Sequence, residues 1–185
     1  MKEIRLHGRG GQGAVTLGQW IVHCLALDGK YGSSIPMFGF ERRSAPVASY
    51  VRIDDRPVRE KCRIYTPDCL VVIDPTVRNA VDIFDGLTGD SILVINQKGT
   101  PEELNLPPAV KRVGIVDATA ISLRILGRPI TNSCMIGAFA ATTGWIKPDS
   151  IPEALAGNFV GETLAKNIRA AKAGFEQCKI FNLAG

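Results

Sequence analysis

Ile4-Arg5-Leu6-His7-Gly8-Arg9-Gly10-Gly11-Gln12-Gly13-Ala14-Val15-Thr16 is the stretch whose reading decides the fold. Apolar and polar residues alternate from Ile4 to His7, as in a strand with one face buried. A glycine-rich turn follows, and then an apolar run of helical character. Gly8, Gly10 and Gly13 fit G-x-G-x-x-G in the strand–turn–helix context that the pattern requires. Glycine suits such a turn because the backbone bends tightly, often at φ > 0, and because a Cβ would block another surface from approaching. The helix beyond would offer unpaired N–H groups and a partial positive charge to an anion. Gly8, Arg9, Gly10, Gly11, Gln12 and Gly13 therefore form the first candidate site.

Outward from this unit, the helix predicted over 14–28 is apolar nearly all round, so it is buried on more than one side or at an interface. Gly29 ends it as a C-cap glycine does. A short strand or extended entry is predicted over 31–36, then an exposed loop at Met37-Phe38-Gly39-Phe40. Glu41-Arg42-Arg43-Ser44-Ala45-Pro46 precedes an alternating strand over 47–53. Apolar runs at 69–73, 91–96 and, more weakly, 110–117 read as central parallel strands. Helices are predicted over 118–126, 133–143, 149–156 and 161–177. The last places Val160, Leu164, Ile168, Ala171 and Phe175 on one stripe, with Glu162 and Lys166 on its exposed side. Strands alternating with helices predict an α/β fold: a three-layer α/β/α open, mostly parallel sheet, a mixed one being left open, in a single domain spanning 1–185.

Composition narrows the function classes. The chain has 185 residues, enough for a substantial core, and a net charge of +4 with no basic run, which argues against a nucleic-acid partner. Five cysteines are widely spaced without a C-x-x-C, so neither a zinc ribbon nor a ferredoxin-type cluster is expected within the chain. Buried reduced thiols are expected instead. No apolar run reaches membrane-spanning length, and Met1-Lys2-Glu3 leads straight into a strand. The expectation is a cytoplasmic protein without membrane contact.

The glycine turn has three readings. A dinucleotide site wants an acid about 20 residues on, and Asp28 stands near that count but at a helix end. No G-K-[ST] of a P-loop is present. The other two readings are close packing, of strand on helix or against a partner subunit, and a phosphorylated ligand at a shared interface. Glu41, Arg42 and Arg43 are the second candidate, because arginine pairs in bidentate fashion with phosphate or carboxylate on a ligand or a neighbouring chain. A solvated turn is the alternative there. His7 and His23 lack spaced carboxylate or cysteine partners and read as core or strand-end residues. Asp74 and Asp117 end apolar strands, where α/β proteins place ligand groups, yet each is first a natural N-cap, as is Asn132-Ser133. No catalytic residue and no metal ligand is assigned.

Three segments together carry a family resemblance: His7-Gly8-Arg9-Gly10-Gly11-Gln12-Gly13 with Val15-Thr16, Phe38-Gly39 through Glu41-Arg42-Arg43-Ser44-Ala45-Pro46-Val47, and Pro67-Asp68 leading to Val71-Val72-Ile73-Asp74. Asp117-Ala118-Thr119, Gly127-Arg128-Pro129-Ile130-Thr131-Asn132 and Met135-Ile136-Gly137-Ala138 agree with them. The chain resembles the gamma subunit, or gamma domain, of 2-oxoacid:ferredoxin oxidoreductases, of which pyruvate:ferredoxin oxidoreductase is the best known, and its Glu41-Arg42-Arg43 form looks closer to the pyruvate and branched-chain members than to the 2-oxoglutarate ones. Family members commonly carry proline where Phe40 stands and glycine where Ser44 stands. The resemblance implies coenzyme A-dependent oxidative decarboxylation of a 2-oxoacid, with electrons passing to ferredoxin. It also implies that thiamine diphosphate, Mg and iron–sulfur clusters belong to partner subunits of alpha, beta and delta type. This chain would bind none of them alone. Coenzyme A, as co-substrate, would meet the glycine turn and the Glu41–Arg43 segment, or these would meet a partner subunit. An indolepyruvate-type complex, a free-standing Rossmann-like nucleotide-binding oxidoreductase, and a homodimer of the isolated chain stay open.

Overall fold

The computed structural model describes residues 1–37 and 44–183. Chain order is β1 (Lys2–Arg9), α1 (Ala14–Leu27), β2 (Tyr31–Pro36), β3 (Pro46–Asp54), β4 (Cys69–Val72), β5 (Ser91–Asn96), β6 (Val110–Val116), α2 (Ala118–Leu126), α3 (Asn132–Thr143), α4 (Ile151–Ala156), α5 (Gly161–Gln177) and β7 (Lys179–Asn182). All seven strands lie in one sheet, in the order β2-β3-β1-β4-β5-β6-β7. β1, β4, β5 and β6 are mutually parallel, whereas β2–β3, β3–β1 and β6–β7 pair antiparallel. The sheet is thus mixed: a parallel centre with antiparallel margins.

The centre is parallel because its strands are apolar on both faces. Every residue of β4 is buried, with Cys69 and Val71 in one core and Leu70 and Val72 in the other. The first core takes the apolar sides of α1, α3, α4 and α5 together with Ala118 and Ile121 of α2. Burying side chains as large as Trp20 and Phe139 there contributes about 1.5–3 kcal/mol each. At the α3–α5 contact, a Cβ on Gly137 would run into the carbonyl oxygen of Ala171, and one on Gly174 into that of Cys134. Backbone meets backbone at this seam, and no side chain fits between.

The other face differs from the expected α-helical layer. A third layer exists, but it is made of 3-10 turns (Pro75–Asn79 and Pro101–Leu104) and coil that cover Leu70, Val72, Leu93, Ile95, Val113 and Ile115. Pro75, Pro101, Pro107 and Pro108, with Gly86, Gly89 and Gly99, interrupt both crossovers, so neither can hold an α-helix. β7 lay outside the sequence reading. The α5 stripe is buried only in its middle: Ala171 is buried, while Val160 is 81% exposed. Glu162 and Lys166 pair at 2.7 Å on the solvent side, as the spacing predicts. His23 is exposed on α1 and His7 is buried, so only His7 joins the interior.

Candidate functional site

The carboxyl ends of β1 and β4 and the N-termini of α1 and α3 come together around the glycine turn. Gly11 and Gly13 both have positive φ, 90° and 80°, a region that L side chains rarely enter. Gly13 is the N-cap of α1, without a side-chain cap, and no acid stands in the first turn of α1 or α3. The turn is pinned from within: Arg9 N donates to Gln12 Oε1 at 2.8 Å, and Gln12 N donates to Arg9 O at 3.0 Å. It is pinned from outside by Gly10 N donating to Ala45 O at 2.9 Å and Ser44 N to Gly10 O at 3.3 Å. The residues that follow the Glu41–Arg43 segment therefore lie directly against the turn. Glu41, Arg42 and Arg43 themselves fall outside the described residues. Ser44 adopts φ 74°, the region that glycine favours.

Arg9 does not project as a loose anion-seeking side chain. Its Nε and one terminal nitrogen donate to Thr76 Oγ1 (2.9 Å) and Thr76 O (3.0 Å), and the other donates to Ser44 O at 3.0 Å. Its Nε also stands 3.5 Å from Asp74 Oδ2. Asp74 receives Gln12 Nε2 at 2.6 Å, Thr76 N at 2.9 Å and Thr76 Oγ1 at 2.7 Å. Burial opposes the Asp74 charge, but the hydrogen bonds from Thr76 and Gln12 and the Arg9 charge outweigh it and hold the carboxyl below its usual range. Arg9, Gln12, Asp74 and Thr76 thus form a clasp that fixes the turn to the end of β4. Asp74 also caps the 3-10 turn over Pro75–Asn79, and Asp117 caps α2 through Ala120 N, as their spacing predicts.

From sequence Asn132-Ser133 reads first as a cap; the structure instead makes Thr131 the N-cap of α3, without a side-chain cap, and puts Asn132 at the first helical position, against the glycine turn. Its Oδ1 accepts from Ser133 N at 3.0 Å, while its amide lies over Gly13, 2.5 Å from where a Cβ on that glycine would stand. The side chain is 6% exposed, and among the described residues its Nδ2 donates to no protein group. The backbone N–H groups of Ala14, Val15 and Thr16 likewise have no protein acceptor among them. These donors and two helix N-termini make a surface suited to an anion such as phosphate. The signal in sequence was the family-like Gly127–Asn132 segment, but its approach to Gly13 depends on α3 crossing behind α1.

The dinucleotide reading loses its acid. Asp28 accepts from Lys147 N at 2.8 Å and from Ser150 Oγ, so its carboxylate caps the segment leading into α4, away from the turn. Burial pushes the Cys24 and Cys134 thiols up to about 12, which leaves both as unreactive core residues. Among the described residues, no three His, Cys, Asp or Glu side chains converge to hold a metal ion, and no helix is long and apolar enough to cross a membrane.

Known proteins resemble the chain along nearly its whole length. Residues 3–177 match the family model described as pyruvate ferredoxin/flavodoxin oxidoreductase. The chain is 46% identical over 185 residues to the pyruvate/ketoisovalerate oxidoreductases common subunit gamma of Pyrococcus furiosus, covering 99% of this chain and 100% of that one. It is 44% identical over 184 residues to the NADH-dependent phenylglyoxylate dehydrogenase subunit gamma of Aromatoleum evansii, covering 99% and 97%. The crystal structure of pyruvate oxidoreductase subunit PORC from Thermotoga maritima superposes with a TM-score of 0.84 at 33% identity, covering 97% of each chain. A chain matched along nearly its whole length in sequence and in fold belongs to the pyruvate ferredoxin/flavodoxin oxidoreductase family.

Proposed function

We propose that this chain, acting as one gamma domain, is the gamma subunit of a pyruvate-type 2-oxoacid:ferredoxin oxidoreductase complex. The observation that carries the reading is the near end-to-end match to a gamma subunit at 46% identity. Its role is to complete a reaction centre that partner subunits hold. Thiamine diphosphate and iron–sulfur clusters, in those subunits, supply the decarboxylation and electron-transfer chemistry. The chain's own contribution is the glycine turn and the Glu41–Arg43 segment, presented to the partners and to coenzyme A.

The unclaimed N–H groups of α1 and the Asn132 amide support a phosphate-receiving role for this surface. Arg9 enters that role as the residue that keeps the turn in place, through Thr76 and Ser44. The test is reconstitution with the partner subunits, followed by coenzyme A titration of 2-oxoacid-dependent ferredoxin reduction. Arg9→Met and Arg43→Met should each raise the KM for coenzyme A or weaken assembly. Unchanged kinetics and assembly in both variants would refute the role given to these residues.

A further inference from the structure

Beyond the clasp, the carboxyl edge of the sheet opens a second time. After β5 the chain turns to the coil-built layer, through Gln97 to the 3-10 turn over Pro101–Leu104. After β6 it turns the other way, into α2, whose Ala118 and Ile121 join the first core. Neighbouring parallel strands whose connections leave to opposite faces open a crevice at their carboxyl ends, and α/β folds place ligands there. β1 and β4 do the same at the glycine turn, two strand spacings away, or about 10 Å.

A cavity of about 350 Å³ occupies the β5–β6 crevice, within the ~300–1,000 Å³ usual for a small-molecule site. Its walls take Ile115 from one core and Ile121 from the other, and Gln97 and Gln177 bring two neutral amides. Three cations line it, each from a different part of the chain: Lys98 after β5, Arg124 on α2 and Lys179 on β7. Among the described residues Asp117 is the one acid in the lining, and it is already engaged. It caps α2 through Ala120 N at 2.9 Å and pairs with Lys98 Nζ at 3.4 Å. Glu103 rests against Gly99 without lining the cavity. Arg124 donates to the neutral Gln177 Oε1 at 3.5 Å, and among the described residues no carboxylate is in ion-pair contact with Arg124 or Lys179. Two positive charges in the lining are thus left unanswered. Cations gathered in one cleft with apolar walls focus their field and draw in a counter-ion.

We propose that this cavity binds a phosphate monoester, its two charges matched by Arg124 and Lys179 and its organic body lying on Ile115 and Ile121. The guanidinium gives the phosphate a bidentate fork, and the lysine gives it a point charge. The inference goes beyond the subunit reading, since every group it uses belongs to this chain. A free phosphomonoester and the 3′-phosphate of coenzyme A present the same chemistry, and the test tells them apart. Titration calorimetry on the purified full chain should show 5′-AMP binding at least about 10-fold tighter than adenosine, which lacks the phosphate. Arg124→Glu and Lys179→Glu, both at exposed positions, should each weaken that binding by about 10-fold or more. Coenzyme A and dephospho-coenzyme A form the second arm. If Arg124→Glu brings coenzyme A down to the affinity of dephospho-coenzyme A, the guest is the coenzyme's own phosphate. Coenzyme A affinity that stays put while 5′-AMP binding weakens identifies a free phosphomonoester. Saturable binding of neither compound, or indifference to the phosphate in both pairs, would overturn the proposal. So would loss of binding with Asn132→Ala but not with Arg124→Glu, which would put the phosphate at the glycine turn. None of these results bears on the subunit assignment, which reconstitution with the partners tests separately.

Discussion

Alanine at Gly13 and alanine at Gly11 should have unequal effects, although both positions need left-handed backbone. Placing an L side chain at φ 80° or 90° costs about 1–2 kcal/mol in either case. Around Gly11 the added methyl group meets nothing within 4 Å. At Gly13 it would stand 2.5 Å from Asn132 Nδ2 and 3.2 Å from Asn132 Cγ. Asn132 cannot swing aside without giving up the bond from Ser133 N, so a further overpacking penalty of about 1–3 kcal/mol applies. Gly11→Ala is thus expected to lose about 1–2 kcal/mol and Gly13→Ala about 2–5 kcal/mol. Urea unfolding of the purified chain, followed by circular dichroism, measures both against wild type through the shift in midpoint at constant m. The gap should close in an Asn132→Ala background, where the obstructing amide is gone. Equal losses for the two glycines, or a gap that survives Asn132→Ala, would refute the claim that α3 closes over the turn.

Two further outcomes are expected. Burial, followed by the charges of Arg5 and Arg63, pushes the His7 imidazole down to about 3. The unfolded chain, with an ordinary histidine near 6.5, then binds more protons than the native state between about pH 6.5 and 3, so stability falls as pH drops through that window. His7→Gln, which keeps an acceptor for Arg5, should flatten the decline, and urea midpoints at pH 7 and 4.5 that fall as steeply as in wild type would contradict this. Ser44→Gly should raise stability by about 0.5–1 kcal/mol, the left-handed strain relieved less the entropy gained by the unfolded chain. A loss on thermal unfolding would show that the Ser44 side chain holds more than its backbone angle costs.

The opening strand–turn–helix was legible because its information is local: alternation, three glycines in register, and an apolar helix behind them. The caps at Asp74 and Asp117 were legible for the same reason. What escaped was set by residues far apart in the chain. Arg9 reads as a reaching cation until Thr76, 67 residues away, takes up two of its nitrogens. Asn132 reads as a cap until α3 brings it over Gly13. Asp28 lies near the count for a ribose-binding acid, but its partners are at 147 and 150. The coil-built third layer was foreshadowed by Pro75 and Pro101, whose effect on helix formation outweighs the usual rule that parallel strands are joined through α-helices.

β7 has a consequence for how the protein behaves in solution. β6 carries Val113 and Ile115 in its apolar run and would otherwise present a row of open backbone groups along the sheet margin. Lys179–Asn182 covers that row antiparallel, with Leu183 N continuing the ladder to Lys111 O at 2.8 Å, and its own outer side chains are largely exposed and include a lysine. Four residues beyond the family-matched span thus act as a seal against edge-to-edge polymerisation. A protease nick or a badly placed fusion joint just past Gln177 would strip Phe181 and Leu183 from the second core as well as bare the β6 margin, and so turn a well-behaved polypeptide into one that templates its own precipitation.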